Sequence, residues 1–181
     1  MQHAVVTHED WLAARRDLLQ KEKELTHLRD SVANERLALP WERIEKDYVF
    51  DTLDGPRSLA GLFEGRSQLV VQHFMLAPGW KEGCPSCSFM ADHTDGMNLH
   101  LANHDVTMIA VSRAPLADIE RYRKRMGWTF GWVSSFGSDF NYDFRVSFTP
   151  EEVASGHIDY NFGGWNMTGE EWPGVSAFIK N

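Results

Sequence analysis

The apolar, β-branched run Gln68-Leu69-Val70-Val71-Gln72-His73-Phe74-Met75 is followed closely by the chain's only two cysteines, set as Cys84-Pro85-Ser86-Cys87. A run of this kind reads as a buried strand. Two thiols so close in sequence can meet only where the backbone bends, as it does in the first turn of a helix. Pro85 suits the first helical position, where a missing N–H costs nothing, and Gly83 permits a tight entry. A helix start also directs free N–H groups and the positive end of the helix dipole at the first sulfur, which favours its thiolate. Cys84 is therefore the expected attacker, with Cys87 one turn later to displace whatever it captures.

The rest of the chain supplies a frame for that turn. Thr7 and Asp10 read as a weak capping box, after which Trp11, Leu18, Leu25 and Val32 recur every seven residues with Ala14 and Leu28 beside them. This predicts one long helix ended by Pro40, an amphipathic extension over residues 1–45 that packs on the body or across a dimer, the alternative being a free-standing coiled coil. Beyond it, Tyr48–Phe50 reads as a strand, Asp54-Gly55-Pro56 as a turn and Ser58–Phe63 as a short helix or strand. Val106–Val111 is a second buried strand. Pro115 opens a helix carrying Leu116, Ile119 and Tyr122, Gly127 stops it, and Thr129–Val133 and Val175–Ile179 follow as strands. Strand–helix alternation at this spacing implies right-handed crossovers, a largely parallel sheet and one α/β domain over residues 46–181. Between Ser134 and Trp172 the pattern weakens. Phe136, Phe140, Phe144 and Phe148 stand four apart, as on a helix, but Gly137 and Asn141 favour turns, so these aromatics are expected to fold back over the core.

Composition narrows the function. Lys plus Arg number 18 against 26 Asp plus Glu, a formal charge of -8 over 181 residues, which disfavours duplex nucleic acid and anionic membranes as partners. The N-terminus shows no basic stretch followed by an apolar run, and no window approaches the roughly 18 apolar residues of a membrane span, so the cytoplasm is the expected location. Thiols are kept reduced there, which makes a close cysteine pair a redox or metal site. For a metal the candidates are Cys84, Cys87, His93, His100 and His104, but their spacing matches no common structural zinc pattern. A thiol peroxidase is a second alternative, although Lys81 stands three positions before Cys84, where a hydroxyl would serve that chemistry. Lys81 favours a thiolate electrostatically, whereas Glu82 opposes one if it faces Cys84. A third alternative is a non-enzymatic protein holding a metal or a small aromatic ligand among Trp80, Trp128, Trp132 and Trp165. Thiol–disulfide exchange needs no cofactor, only a protein or low-molecular-weight disulfide as substrate and a dithiol reductant.

Three stretches carry a resemblance: Trp80-Lys81-Glu82-Gly83-Cys84-Pro85-Ser86-Cys87-Ser88-Phe89, Val111-Ser112-Arg113-Ala114-Pro115-Leu116, and Trp132 to Phe144. Over nearly its whole length the chain resembles the thioredoxin-like bacterial family labelled domain of unknown function 899, whose members are predicted dithiol–disulfide oxidoreductases. The resemblance implies a thioredoxin-like α/β fold of the peroxiredoxin-like variety, with a central mixed sheet flanked by helices. It also implies that Pro173 begins the strand facing the site, that the Trp172–Pro173 bond is cis, and that the Trp172 backbone turns toward Cys84 to pair with an extended substrate. Trp80, Lys81, Pro85, Ser86, Trp172 and Pro173 are then the expected substrate contacts. Two departures stand out. No acid lies in Leu69–Leu76, where thioredoxin buries a carboxylate, and only Gln72 and His73 could stand in. The chain also ends at Asn181, before the further strand and helix the fold normally adds, so a truncated C-terminus or a covering neighbour in a homodimer is expected.

Overall fold

The computed structural model describes residues 3–163 and 168–180, and the chain divides into two compact units, Met1–Glu45 and Lys46–Asn181. In the first unit, α1 spans His8–Leu37. Thr7 Oγ1 accepts the Asp10 N–H at 3.2 Å, with Glu9 and Asp10 in the first turn and Arg36 in the last, the charge order a helix dipole favours. The seven-residue spacing keeps Trp11, Leu18, Leu25 and Val32 along one side of the helix, drifting only about 20° per heptad. Ala38 caps the end, two residues before Pro40, as the conformational restriction ahead of a proline requires. No helix among the described residues is long and apolar enough to cross a membrane.

The second unit is built on one six-stranded sheet. Its strands are β1 (Val49–Thr52), β2 (Gly55–Ser58), β3 (Gln68–His73), β4 (Val106–Ser112), β5 (Gly131–Ser134) and β6 (Gly174–Ile179), in spatial order β2-β1-β5-β4-β3-β6. The expectation of a largely parallel sheet holds only for the centre, where β3, β4 and β5 run parallel. β6 is antiparallel to β3, and the β1–β2 hairpin adds antiparallel to β5. A hairpin turn as short as the one between Thr52 and Gly55 can join only antiparallel strands, whereas the parallel pairs need helical crossovers. Those crossovers carry α2 (Pro85–Thr94) and α3 (Asn98–Asn103) between β3 and β4, and α4 (Leu116–Met126) between β4 and β5. Gly127 closes α4 in the left-handed region at φ 76°, which glycine adopts without strain. A βαβ unit with the cysteine pair opening its helix, and an antiparallel strand on the other side of β3, is the thioredoxin-like arrangement.

The two faces of the sheet bury separate clusters. One gathers Phe74, Leu76, Cys87, Ala91, Ile119, Tyr122, Trp128 and Trp132; the other gathers Tyr48, Phe50, Leu69, Val71, Val111 and Phe140. Trp128 and Trp132 are therefore core residues rather than ligand holders, their indole N–H groups donating to Asp92 at 2.7 Å and to Ser112 Oγ at 2.9 Å. Trp165 lies outside the described residues.

The aromatic segment after β5 contains one helical turn, α5 (Phe140–Asp143), and the short α6 (Pro150–Ser155). A capping box between Thr149 and Glu152 starts α6. Phe140 and Phe148 are fully buried and Phe144 packs against the second cluster, as expected of aromatics that cover a core. Phe136 departs from that expectation and is 53 % exposed, because the chain turns through Gly137 at φ 75° before α5 begins. Between α5 and α6, Val146–Phe148 runs antiparallel to Glu170–Trp172. The Trp172 N–H donates to the Val146 carbonyl at 2.8 Å, the Phe148 N–H to the Glu170 carbonyl at 2.9 Å, and Ser147 bridges Glu171.

Candidate active site

The chain leaves β3 at His73, and Met75 holds the turn that follows, its carbonyl accepting the Cys84 N–H at 3.1 Å. Gly83 passes so close beneath two rings that a Cβ there would lie 2.5 Å from Phe74 Cε1 and 2.9 Å from Tyr122 Cε1. Only glycine fits that approach. Cys84 then occupies the N-cap of α2, with Pro85 at the first helical position. Its carbonyl takes the Ser88 N–H and the Ser88 hydroxyl, each at 2.9 Å, and that hydroxyl also lies 3.0 Å from Tyr122 Oη. The two cysteines sit 3.7 Å apart, neither engaged in a disulfide. Cys84 is partly exposed and Cys87 is buried.

This burial separates the two sulfurs chemically. Desolvation pushes the Cys87 thiol up to about 12, and the neighbouring Cys84 sulfur adds to the rise; the Met75 backbone N–H, hydrogen-bonded toward Cys87, works against it. Cys87 is thus a neutral thiol near pH 7, and Cys84 is the sulfur open to solvent. The expectation that helix N–H groups point at the Cys84 sulfur is not met as stated, since its side chain makes no capping hydrogen bond. Glu82 is held by Arg125 at 2.8 Å, so its charge is compensated rather than presented to Cys84.

The pleat of β3 decides between the two candidates for the missing acid. Gln72 faces α2 and donates from Nε2 to the Cys87 carbonyl at 3.3 Å. Its neighbour His73 points through the opposite face, stacked on Phe140 with ring centroids 5.5 Å apart, its Nε2 2.8 Å from Ser176 Oγ. Successive strand residues face opposite sides, so His73 has no route to the cysteines. Burial lowers its pKa to about 4, and its Nδ1 has no partner among the described residues.

The β3–β6 ladder ends with His73 opposite Gly174, so Trp172 and Pro173 stand just before the first paired residue of β6, at the end of β3 from which the chain runs on to the cysteines. The expected cis bond is absent: no cis peptide occurs among the described residues, so Trp172–Pro173 is trans. The segment is held by other means, through the Trp172 N–H to Val146 and the Trp172 Nε1 to the Gly169 carbonyl at 3.2 Å. The Tyr160 hydroxyl also donates to the Pro173 carbonyl at 2.6 Å. Trp80 and Lys81, on the loop before Gly83, and Pro85 and Ser86 in the first turn of α2 are all exposed. The five residues weighed as metal ligands are not assembled; among the described residues no group of three His, Cys, Asp or Glu stands ready to hold an ion.

Residues 1–181 match the sequence profile of a family described as bacterial proteins of unknown function, DUF899. The chain belongs to that family. Among curated proteins, none matches it. Solved structures similar to this DUF899 protein include peroxidoxin BcpB from Mycobacterium tuberculosis, at 18 % identity over 49 % of this chain and 55 % of that one, with a TM-score of 0.41. A putative protein disulfide isomerase from Bacteroides thetaiotaomicron follows at 21 % over 58 % and 64 %, TM-score 0.42. A cysteine-to-serine mutant of Xylella fastidiosa PrxQ stands at 15 % over 61 % and 70 %, TM-score 0.46. The match thus spans little more than half the length of the first of these.

Several residues that shape the site in this DUF899 protein escape a reading of the sequence. Tyr160 lies on the aromatic segment with its ring tilted against Trp172, centroids 5.5 Å apart; burial, then the nearby Cys87 sulfur, raises its pKa. Arg113, just past β4, donates from Nε to Glu171 at 2.6 Å and from Nη1 to the Tyr142 hydroxyl. The Ser147 hydroxyl completes the cluster, donating to Glu171 at 2.9 Å. Desolvation still holds Glu171 above the ordinary carboxylate range, although Arg113 pulls it down. The sequence signals for this cluster are that Arg113 follows directly on a buried strand and that Arg113 and Tyr142 fall in the stretches that carry the family resemblance.

Proposed function

We propose that this protein is a dithiol–disulfide oxidoreductase, with Cys84 as nucleophile and Cys87 as resolving thiol. The observation that carries the reading is the pair itself: two free cysteines 3.7 Å apart at the start of α2, the first open to solvent and the second buried. In its thiolate form Cys84 attacks one sulfur of a substrate RS–SR. A Cys84–SR bond forms, the S–S bond breaks, and RS⁻ departs. Cys87 then attacks Cys84, closing the intramolecular disulfide, and its proton passes to the second departing RS⁻ to give RSH. Two electrons have moved from the protein dithiol to the substrate, and a dithiol reductant returns them. Pro173 and Trp172 border the approach, Lys81 adds positive charge near Cys84, and the reaction needs no cofactor. A reducing compartment, the cytoplasm, keeps the resting state as the dithiol.

Turnover of glutathione disulfide with dithiothreitol as reductant tests the reading. Cys84→Ser abolishes turnover, and Cys87→Ser accumulates one mixed disulfide per chain by intact mass. Full activity in both variants refutes it.

A further inference from the structure

We propose, resting on the oxidoreductase reading, that the site takes low-molecular-weight disulfides and excludes extended protein segments, because the Trp172–Pro173 backbone, next to the strand that leads to the cysteines, is already paired within the chain. A substrate added as a strand needs free donors and acceptors along the edge it joins. Proline has no N–H, so the Trp172–Pro173 pair offers one donor, the Trp172 N–H, and Val146 already takes it at 2.8 Å. The Pro173 carbonyl is likewise taken, by the Tyr160 hydroxyl at 2.6 Å, so of the pair's three backbone groups only the Trp172 carbonyl is open to a peptide among the described residues, one bond where a strand needs a ladder.

These contacts are built in rather than incidental. Val146 and Ser147 are buried, and Gly174 lets Val146 approach so closely that a Cβ on the glycine would meet Val146 Cγ1 at 2.8 Å. Glu171 is locked between Arg113 and the Ser147 hydroxyl. A peptide pairing with Glu170–Trp172 would have to displace Val146–Phe148, which is already paired there. A small disulfide needs only the exposed side of Cys84.

The experiment compares mixed disulfides of 2-mercaptoethanol with free cysteine and with a linear peptide of about eight residues carrying one central cysteine. The reacting S–S bond is the same, and only the flanking backbone differs. Wild-type kcat/KM is expected to stay level or fall as the peptide lengthens. A rise of about tenfold or more, the gain from about 1.4 kcal/mol of added binding, overturns the proposal. Tyr160→Phe, which frees the Pro173 carbonyl, is expected to shift the peptide-to-cysteine ratio toward the peptide. Because both rates scale alike with the folded fraction, the ratio is blind to partial misfolding, and an unchanged ratio also overturns the proposal. Failure of the oxidoreductase reading looks different: neither disulfide turns over above the Cys84→Ser background.

Discussion

His73 should make this protein sensitive to mild acid in a way that one substitution removes. Its ring is sealed against Phe140 and Phe144, and burial lowers its pKa from 6.5 to about 4. In the unfolded chain the imidazole regains its ordinary pKa, so between these values the unfolded state binds the extra proton and stability falls as pH falls. The contribution is complete above about pH 6.5 and lost progressively toward pH 4. At about 1.36 kcal/mol per unit the full loss is about 3 kcal/mol, and about 2 kcal/mol is gone by pH 5. With a urea slope of about 2 kcal/mol/M, that is a midpoint shift of about 1 M, well within measurement. Urea titrations at about pH 7.5 and pH 5, on wild type and on His73→Asn and His73→Phe, isolate the effect. Glu171 pulls the other way, since its raised pKa favours the folded state as pH falls. It is common to all three proteins and cancels in the difference. Wild type should lose about 2 kcal/mol more than either variant; equal losses in all three would show that His73 titrates normally in the folded state and refute the argument.

Two further outcomes follow from the dithiol turn. With the Cys87 thiol pushed up to about 12, alkylation by iodoacetamide near pH 8 should modify Cys84 at least about a hundredfold faster than Cys87, as peptide mapping reads directly; comparable rates would count against burial of the second sulfur. Gly83→Ala forces a methyl group against Phe74 and Tyr122 and should cost about 1–3 kcal/mol of unfolding free energy while lowering glutathione disulfide turnover. An alanine variant with unchanged melting and turnover would mean that the rings yield freely.

Much of the frame was legible in the residues because it follows from local patterning. The apolar run at Gln68–Met75 became β3 less its last two residues, and Val106–Val111 became β4 with one added residue. Pro115 and Gly127 bracket α4 as their backbone preferences require. The long N-terminal helix followed from its cap and its seven-residue repeat. Sheet direction was less legible at the margins, since antiparallel placement of β6 and of the β1–β2 hairpin depends on which strand edges remain open once the three central strands have paired. The aromatic segment resisted most: Phe136 and Phe140 are similar in sequence context, yet one is exposed and the other fully buried.

By itself the sequence determined where the two sulfurs stand along the chain, because a strand run, a glycine, a proline at the first helical position and the spacing of the thiols are all local constraints. Only the tertiary structure decided how those sulfurs differ. Cys87 is buried because α2 packs onto the Phe74 side of the sheet. His73 is removed from the chemistry by the pleat of β3. The Trp172 N–H and the Pro173 carbonyl are taken by Val146 and Tyr160, 26 and 12 positions before Trp172. Burial, facing and the fate of a backbone N–H depend on residues that meet only after folding, which no local pattern encodes.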